Sequence, residues 1–293
     1  MKKIFLAAGL VLLGFAAFWH FLLAPQWTQR IPPGWTWQTN FIGAQALPDE
    51  RTGKLPEKDI TILYSRETRI VDEGERPSSV VIDDTYITKD ALTNQKTYEY
   101  AIRYPLDPRT GEHLTPEYRG DYALFPRNTA RKDYRYRASY IVNGIPLTWQ
   151  KEAELDGVKT YLFHYKGPIE YTITYLGTPE YPGVIVPVGQ VIRCSDEQFT
   201  FKVWVEPLTG EIARLEESCY SGDYIYDKST GKKLAAVMRW GGESAGDDDI
   251  LRLDRIRRDR KKILWLSRYI PLALFLAGLA LLVPGLAPKR GRS

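Results

Sequence analysis

The stretch Phe199-Thr-Phe-Lys-Val-Trp-Val205, followed by Pro207-Leu-Thr-Gly-Glu211, decides the fold class of this chain. Large apolar side chains occupy every second position of the first segment, with Thr200 and Lys202 between them. A half-buried β-strand has this period of two. In the second segment, Thr-Gly after Pro suits a type I turn whose glycine takes the left-handed conformation. The sequence therefore predicts a strand that enters a tight hairpin turn.

The same pattern recurs along the middle of the chain. Alternating or β-branched runs occur at residues 60–64, 80–82, 97–104, 161–165 and 171–175. Related turn sequences stand at Asp107-Pro-Arg-Thr-Gly-Glu112 and Asp227-Lys-Ser-Thr-Gly-Lys232. Their likeness leaves two interpretations open, duplicated hairpins or independent reuse of one favourable turn. We expect a mainly β domain, folded as a curved antiparallel sheet or a barrel-like sheet.

Two apolar runs, at residues 4–24 and 269–287, flank this region. About 20 apolar residues span the hydrocarbon core of a bilayer, so each run is long enough to be a transmembrane helix. Lys2 and Lys3 precede the first run, as in a signal sequence. Position 22 is Leu22 rather than a small residue, and Pro25 follows directly, so we expect an uncleaved anchor.

The predicted organisation has five parts. They are an N-terminal transmembrane anchor (1–25), a connecting arm (26–58), a β-rich extracytoplasmic domain (59–247), a helix continuing into the C-terminal transmembrane helix (248–287) and a basic cytoplasmic tail (288–293). Basic residues at both ends favour a two-pass protein of the cell membrane with both termini in the cytoplasm. The basic stretch 255–262 would then lie outside, but long domains cross the membrane largely regardless of charge.

The net charge of +4 is unevenly distributed. Residues 25–251 carry seven more acidic than basic side chains, and the positive excess lies beside the apolar runs. A nucleic-acid partner would require a basic face on the folded domain, so we expect none. Basic residues beside a membrane segment suit anionic lipid head groups. We therefore predict head-group contacts by the residues Arg255, Arg257, Arg258, Arg260, Lys261 and Lys262.

Cys194 and Cys219 are the only two cysteines. They flank the predicted strand Phe199–Val205 and the turn that follows it. In a hairpin, the two cysteines would fall near opposite ends of paired strands. We predict a disulfide between them, which suits an oxidising compartment. Two buried thiols are the alternative.

Catalytic motifs find little support. Gly242-Glu-Ser-Ala-Gly246 matches the G-x-S-x-G nucleophile elbow, but that fold needs a histidine after the serine, and none follows Ser244. Asp247-Asp-Asp249 suits the N-terminus of a helix, with a metal site as the sharper alternative. No phosphate-binding loop, dinucleotide glycine pattern or H-E-x-x-H motif occurs. We expect no cofactor, no metal site and no enzymatic activity.

The apolar faces of the strands suggest a ligand. If the sheet curls, these faces line an interior, and tyrosine suits a lined pocket because its apolar ring ends in a polar hydroxyl. A solid core is the alternative. The predicted lining residues for a lipid are Tyr161, Phe163, Tyr165, Tyr171, Ile173, Tyr175, Phe199, Phe201, Val203 and Val205.

One segment resembles a known family. Leu124-Phe-Pro-Arg-Asn-Thr-Ala-Arg-Lys-Asp-Tyr-Arg-Tyr136 resembles the Phe-Pro-x-Asn-Thr-x-x-Lys-x-Tyr-x-Tyr signature of the PorA porin family, which are membrane-anchored envelope proteins, mostly of actinobacteria. Asp156-Gly-Val-Lys-Thr-Tyr-Leu-Phe163 and Val205-Glu-Pro-Leu-Thr-Gly-Glu211 resemble its later segments. Members usually continue with Trp-Asp where Arg137 and Ala138 stand here.

The resemblance implies a β-rich extracytoplasmic domain that handles envelope lipids or lipoglycans, and it supplies no catalytic residues. Porins cross membranes as closed barrels, whereas this chain has two apolar helices. We therefore expect a membrane-anchored envelope protein that binds or helps to transport lipid or lipid-linked glycan. A scaffold of an envelope complex and an unrecognised hydrolase or transferase are the alternatives. The expected partners are membrane lipids, and then lipoglycan or envelope-biosynthesis proteins.

Overall fold

The computed structural model describes residues 2–28, 30–31, 34–49, 51–72, 79–138, 141–171, 191–244 and 246–286. The chain divides into two compact units, a helical one made of residues 1–32 and 257–293, and a sheet made of residues 33–256. The helices are α1 (Lys2–Phe18), α2 (Ala24–Thr28), α3 (Gly246–Leu264) and α4 (Ile270–Leu286). A π-helical turn joins α1 to α2 (Trp19–Leu23), and another joins α3 to α4 (Trp265–Tyr269).

Within the described residues, eleven strands form one antiparallel sheet. They are β1 (Thr36–Ala46), β2 (Ile60–Asp72), β3 (Val80–Asp90), β4 (Lys96–Leu106), β5 (Tyr134–Tyr136), β6 (Ile145–Leu155), β7 (Val158–Lys166), β8 (Val191–Ser195), β9 (Thr200–Val205), β10 (Ile212–Asp227) and β11 (Lys233–Ser244). The order across the sheet is β4-β3-β2-β1-β11-β10-β9-β7-β6-β5, and β8 pairs separately with β10. The expected fold class, a curved antiparallel sheet with terminal apolar helices, is confirmed.

The curvature brings the two edges of the sheet towards each other. Arg66 on β2 donates from Nη1 to the Tyr136 hydroxyl on β5 at 3.0 Å, although these strands lie near opposite edges. Isolated bridges run from Leu106 to His113, from Glu112 to Tyr122, and from Tyr122 to Tyr136. The segment after β4 therefore links the two edge strands and leaves one face of the sheet inside.

Alternating burial follows the sequence pattern closely. Along β9, Phe201, Val203 and Val205 are buried while the residues between them are half-buried. Because side chains of a strand alternate between faces, these three point to the interior. The period-two prediction for this stretch is confirmed.

The predicted connecting arm at 26–58 differs from the structure, because it contains β1. This strand lies between β2 and β11 in the middle of the sheet. Trp37 and Phe41 are buried on its inner face. The sequence of β1 itself contains no proline, so the prolines that suggested an arm fall outside the strand.

One type of six-residue turn occurs five times among the described residues. The first residue is acidic and the fourth is threonine. The side chain of the first residue accepts a hydrogen bond from the backbone N–H of the fourth, and its carbonyl accepts one from the backbone N–H of the fifth at 2.8–2.9 Å. The fifth residue has positive φ, 76° at Gly111 and 55° at Asn94. Three of these turns were predicted from sequence. The turns comprise residues 49–54, 90–95, 107–112, 206–211 and 227–232.

The first turns of α3 belong to the sheet unit. Leu253 and Ile256 are buried against Val158 and Ala213. Arg252 donates from Nη1 to the Ala213 carbonyl at 3.0 Å and from Nη2 to the Thr39 hydroxyl. The sheet therefore continues its packing as far as residue 256.

Among the described residues, two helices are long and apolar enough to cross a membrane, Lys2–Thr28 and Asp249–Pro284. A Cβ atom on Gly9 would lie 2.9 Å from the Gly278 carbonyl, so α1 and α4 approach closely at these glycines. Trp19 donates from its indole nitrogen to the Leu266 carbonyl at 2.8 Å. Small residues permit such close packing between membrane helices.

Candidate functional site

Of the residues predicted to line a ligand pocket, those that the structure describes lie together on the inner face. Phe163, Phe199, Phe201, Val203 and Val205 have no exposed surface, and Tyr171 is buried. Tyr161 and Tyr165 are half-buried at the margin of the same cluster. Ile173 and Tyr175 lie outside the described residues.

These side chains contact other aromatic rings that the sequence analysis did not assign to the site. Phe163 stacks on Phe125 with centroids 5.2 Å apart, and Phe201 lies 5.4 Å from Tyr136. Phe199 stacks on Phe201 at 6.5 Å. Ring pairs at such distances are those of a packed aromatic core. The alternation of Tyr134 and Tyr136 was the available signal for this second layer.

The segment 125–136 is held against the turn at 206–211. Thr129 donates its N–H to the Pro207 carbonyl at 2.7 Å and its hydroxyl to the Pro126 carbonyl at 2.6 Å. Asn128 has a φ of 59°, a conformation that asparagine tolerates better than most residues. A Cβ on Gly210 would lie 2.5 Å from the Phe125 carbonyl, so only glycine fits there. The segment 125–136 thus has a packing role, because these contacts hold Phe125 in the core.

A buried polar group, here called the Asp84 cluster, occupies the inner face beside these rings. The Asp84 carboxylate has no exposed surface and accepts two hydrogen bonds from Arg66, at 3.0 and 2.9 Å. It also accepts hydroxyl hydrogen bonds at 2.7–3.3 Å. The cluster consists of Arg66, Thr68, Asp84, Tyr86, Tyr104 and Tyr136.

Several donors saturate this carboxylate, which suits a structural role rather than general-base chemistry. Burial and the nearby Asp84 charge raise the pKa of Tyr104 well above its ordinary value, so its hydroxyl stays protonated and donates. Asp83, the neighbouring acid, points to the other face and pairs with Arg69 and Arg103. Because neighbours on a strand point to opposite faces, Asp83 and Asp84 do not form a carboxylate dyad. Sequence reasoning missed the cluster because its partners come from β2, β3, β4 and β5.

The predicted disulfide is wrong, because Cys194 and Cys219 are both free thiols. Cys194 lies on β8, and its direct partner on β10 is Tyr224. Cys219 pairs instead with Trp240 on β11. Burial raises the pKa of the Cys219 thiol to about 12 and that of Cys194 to about 11, so neither is a reactive thiolate.

Ser244 stands at the end of β11, and its hydroxyl is fully engaged with the backbone. It accepts the Leu215 N–H at 3.1 Å and donates to the Leu215 carbonyl at 3.2 Å. The side chain is buried. These bonds hold the end of β11 against β10, just before the start of α3.

His113 is a buried histidine in the segment that links the sheet edges. Its ring lies 4.8 Å from Tyr104 and 5.6 Å from Tyr118, centroid to centroid. Burial, followed by the charge of Arg137, lowers the pKa of His113 to about 4. Arg137 is itself buried, pairs with Asp121 at 2.7 Å and lies 3.9 Å from the Tyr118 ring. His113 is therefore neutral at physiological pH.

The predicted head-group residues fall into two groups on α3. Arg255 donates to Glu211 at 3.1 Å and to the Thr36 carbonyl at 2.9 Å, so it joins α3 to the sheet. Beyond it, the exposed members are Arg257, Arg258, Lys261 and Lys262, and Arg260 is half-buried. This second group, here called the basic segment (257–262), directly precedes the apolar part of the helix. In the described parts of the chain, no three His, Cys, Asp or Glu side chains form a metal-binding group.

Comparison with known proteins adds one clear match. The family model of porin PorA matches residues 3–287, almost the whole chain. No curated protein matches. Among solved structures, an N-terminal dehydratase from the difficidin assembly line shows 11% identity over 82% of this chain and 86% of its own, with a TM-score of 0.12, too low to support any argument. The terminal apolar helices are consistent with a membrane protein, and the chain belongs to the PorA porin family.

Proposed function

We propose that this chain is a non-catalytic envelope protein that binds the anionic head groups of lipids or lipid-linked glycans at the membrane surface. The observation that carries the proposal is the basic segment. Five of its six residues are basic, and four of them are exposed, immediately before a helix long enough to span a bilayer. Membrane-adjacent Arg and Lys side chains extend toward phosphate groups.

The attraction between the basic segment and an anionic head group is strong enough to favour anionic over neutral lipids. Each Lys or Arg near an anionic surface contributes about 1 kcal/mol, within a Debye length of the charge. Removing three of the five charges should therefore weaken binding of an anionic head group by at least about tenfold after allowance for screening. Asp259, the only acid in the segment, offsets part of the attraction.

The inner face supports an acyl-binding site less directly. Phe163, Phe199 and Phe201 are buried in contact with other rings, as in a packed core. We therefore place the proposed binding at the level of the head group. The extracytoplasmic location of the sheet and the cytoplasmic location of both termini are part of the same proposal.

Native mass spectrometry of the full chain in mild detergent tests the proposal. Phosphatidylglycerol and phosphatidylcholine with identical acyl chains serve as probes, and a polyprenyl-phosphate-linked sugar tests the glycan class. The variant Arg258→Gln/Lys261→Gln/Lys262→Gln should lose the preference for anionic probes. The control Arg109→Gln/Lys228→Gln/Lys232→Gln removes three cations from turns of the sheet and should keep that preference. No anionic preference in the wild type, or equal loss in both variants, would contradict the proposal.

A scaffold function is the second candidate, and the outer face of the sheet favours it. Ile42 on β1 lies directly opposite Leu63 on β2, and both are substantially exposed. Tyr220 is exposed close to Gly241 on the same side. An apolar surface of this kind suits a protein partner. In a deletion-complementation assay, failure of Ile42→Ser/Leu63→Ser at normal protein levels, with the basic-segment variant active, would favour the scaffold.

A further inference from the structure

One edge of the sheet is a long, regular strand. β4 is the last strand in the order, and β3 is its only partner among the described strands. From Tyr98 to Leu106 its register with β3 contains no bulge. Among the described residues, another segment meets the free side at the end of the strand, where Leu106 bridges to His113 and the Leu114 N–H donates to the Pro105 carbonyl at 3.0 Å. A free strand edge is a template for pairing with another strand.

The opposite edge of the sheet is short and interrupted, whereas β4 is regular from Tyr98 to Leu106. β5 covers only the first three residues of β6, and a bulge follows between Trp149 and Lys151. The carboxylate of Asp133 accepts the Trp149 N–H at 3.0 Å. Arg131 also forms an ion pair with Glu152 along this edge. A bulge interrupts the regular ladder that an added strand would need.

The β4 edge, in contrast, is complementary to itself. In an antiparallel pair centred on Ala101, Glu99 stands opposite Arg103 of the second copy, and the symmetry produces this pair twice. Both side chains keep exposed surface, 48% for Glu99 and 68% for Arg103, although Glu99 also pairs with Lys96 and Arg103 with Asp83. Ala101 is exposed and small, so it permits close approach at the centre. Opposite charges placed directly across two strands stabilise the pairing.

We propose that two copies of this chain associate through their β4 edges. The strands form an antiparallel, two-fold symmetric pair, so that one sheet continues into the other. A two-fold interface uses the same surface on both subunits, which self-complementary charge satisfies. Main-chain hydrogen bonds provide the affinity, and the two Glu99–Arg103 pairs fix the register.

Cysteine cross-linking of the full chain in mild detergent tests the register. The background variant Cys194→Ser/Cys219→Ala removes the native thiols. Paired strands place opposite Cα atoms about 4.5–5.5 Å apart, within disulfide range. Ala101→Cys should therefore form a covalent dimer under mild oxidation. The control Glu67→Cys is exposed on β2, two strands from the edge, and should cross-link at least about tenfold more slowly. Equal rates for the two variants would overturn the proposal.

A charge exchange then tests the pairing independently of the stability of any one variant. Glu99→Arg and Arg103→Glu are each combined with Ala101→Cys, on chains whose tags differ in length. Each variant alone places like charges opposite one another and should cross-link about tenfold more slowly. Mixing the two restores both opposite-charge pairs, so a heterodimer should form at the rate of the parent. Cross-linking that ignores these charges, or a mixture that yields no heterodimer, would contradict the proposed interface.

Discussion

Replacing Asp84 by asparagine removes one charge from the interior while keeping the shape of the side chain. Asp84 accepts two hydrogen bonds from Arg66, at 3.0 and 2.9 Å, and one from the Thr68 hydroxyl at 2.7 Å. In Asp84→Asn, the Arg66 guanidinium stays buried without a compensating charge. Breaking a buried ion pair in this way costs about 3–5 kcal/mol of unfolding free energy.

This loss should be evident in thermal unfolding of the full chain. For a domain of this size, each 1 kcal/mol lowers Tm by about 2–4 °C, so Asp84→Asn should unfold on the order of 10 °C below wild type. Circular dichroism of the strand signal in detergent measures it. The double variant Arg66→Met/Asp84→Leu should be more stable than Asp84→Asn, because it leaves no unpaired charge inside.

Asp83→Asn is the matched control. It changes the next residue of β3, whose carboxylate lies 3.6 Å from Arg69 and 3.5 Å from Arg103. Both arginines are at least half exposed, so solvent screens these pairs and the expected loss is at most about 1 kcal/mol. Equal Tm shifts for Asp83→Asn and Asp84→Asn would refute the assignment of Asp84 to the interior.

Other predictions concern His113, the packing of α1 against α4, Ser244 and the membrane topology. Folding lowers the pKa of His113 from 6.5 to about 4, so the unfolded chain binds the proton at a higher pH than the folded chain does. The free energy of unfolding should therefore fall by about 3 kcal/mol as the pH drops from 6.5 to 4. In urea titrations, His113→Gln should show a weaker dependence of this free energy on pH. Gly278→Leu should separate α1 from α4 in spin-label distance measurements, whereas Leu279→Ile, on an exposed side of α4, should not; an unchanged distance in Gly278→Leu would contradict the packing. Ser244→Ala should cost about 1 kcal/mol and complement a deletion fully, and normal protein levels without function would favour a catalytic serine. Thr110→Cys, with Cys194 and Cys219 replaced, should react with an impermeant maleimide in intact cells; labelling only after the membrane is breached would reverse the proposed topology.

Strict alternation made most strands predictable from sequence. β9 was expected from Phe199 onward because its apolar residues recur every second position, and burial follows that pattern. β1 was missed because prolines flank it and its inner residues, Trp37, Thr39 and Phe41, are chemically mixed. Thr39 is buried because Arg252 donates to its hydroxyl, a contact that depends on a helix more than 200 residues later.

The failed disulfide and the unforeseen Asp84 cluster have the same physical origin, which is register. The prediction assumed that the strand carrying Cys194 would reach Cys219. In the structure, β8 pairs with the last part of β10, beyond a bulge after Cys219. A bulge shifts one strand against its neighbour, and no local pattern announces it. Likewise, Asp84 meets Arg66 only because β2 and β3 pair in one particular alignment.

The π-helical turn at Trp265–Tyr269 sets the phase of the helix that follows it. A π turn accommodates one residue more than an α-helical turn. Each residue advances an α-helix by about 100° around its axis. Deleting one residue there would convert the π turn into an α-helical turn and keep the phase of the following helix nearly unchanged, so Gly278 would still face Gly9. A deletion within a purely α-helical stretch would instead rotate everything beyond it by about that angle and replace every helix–helix contact downstream.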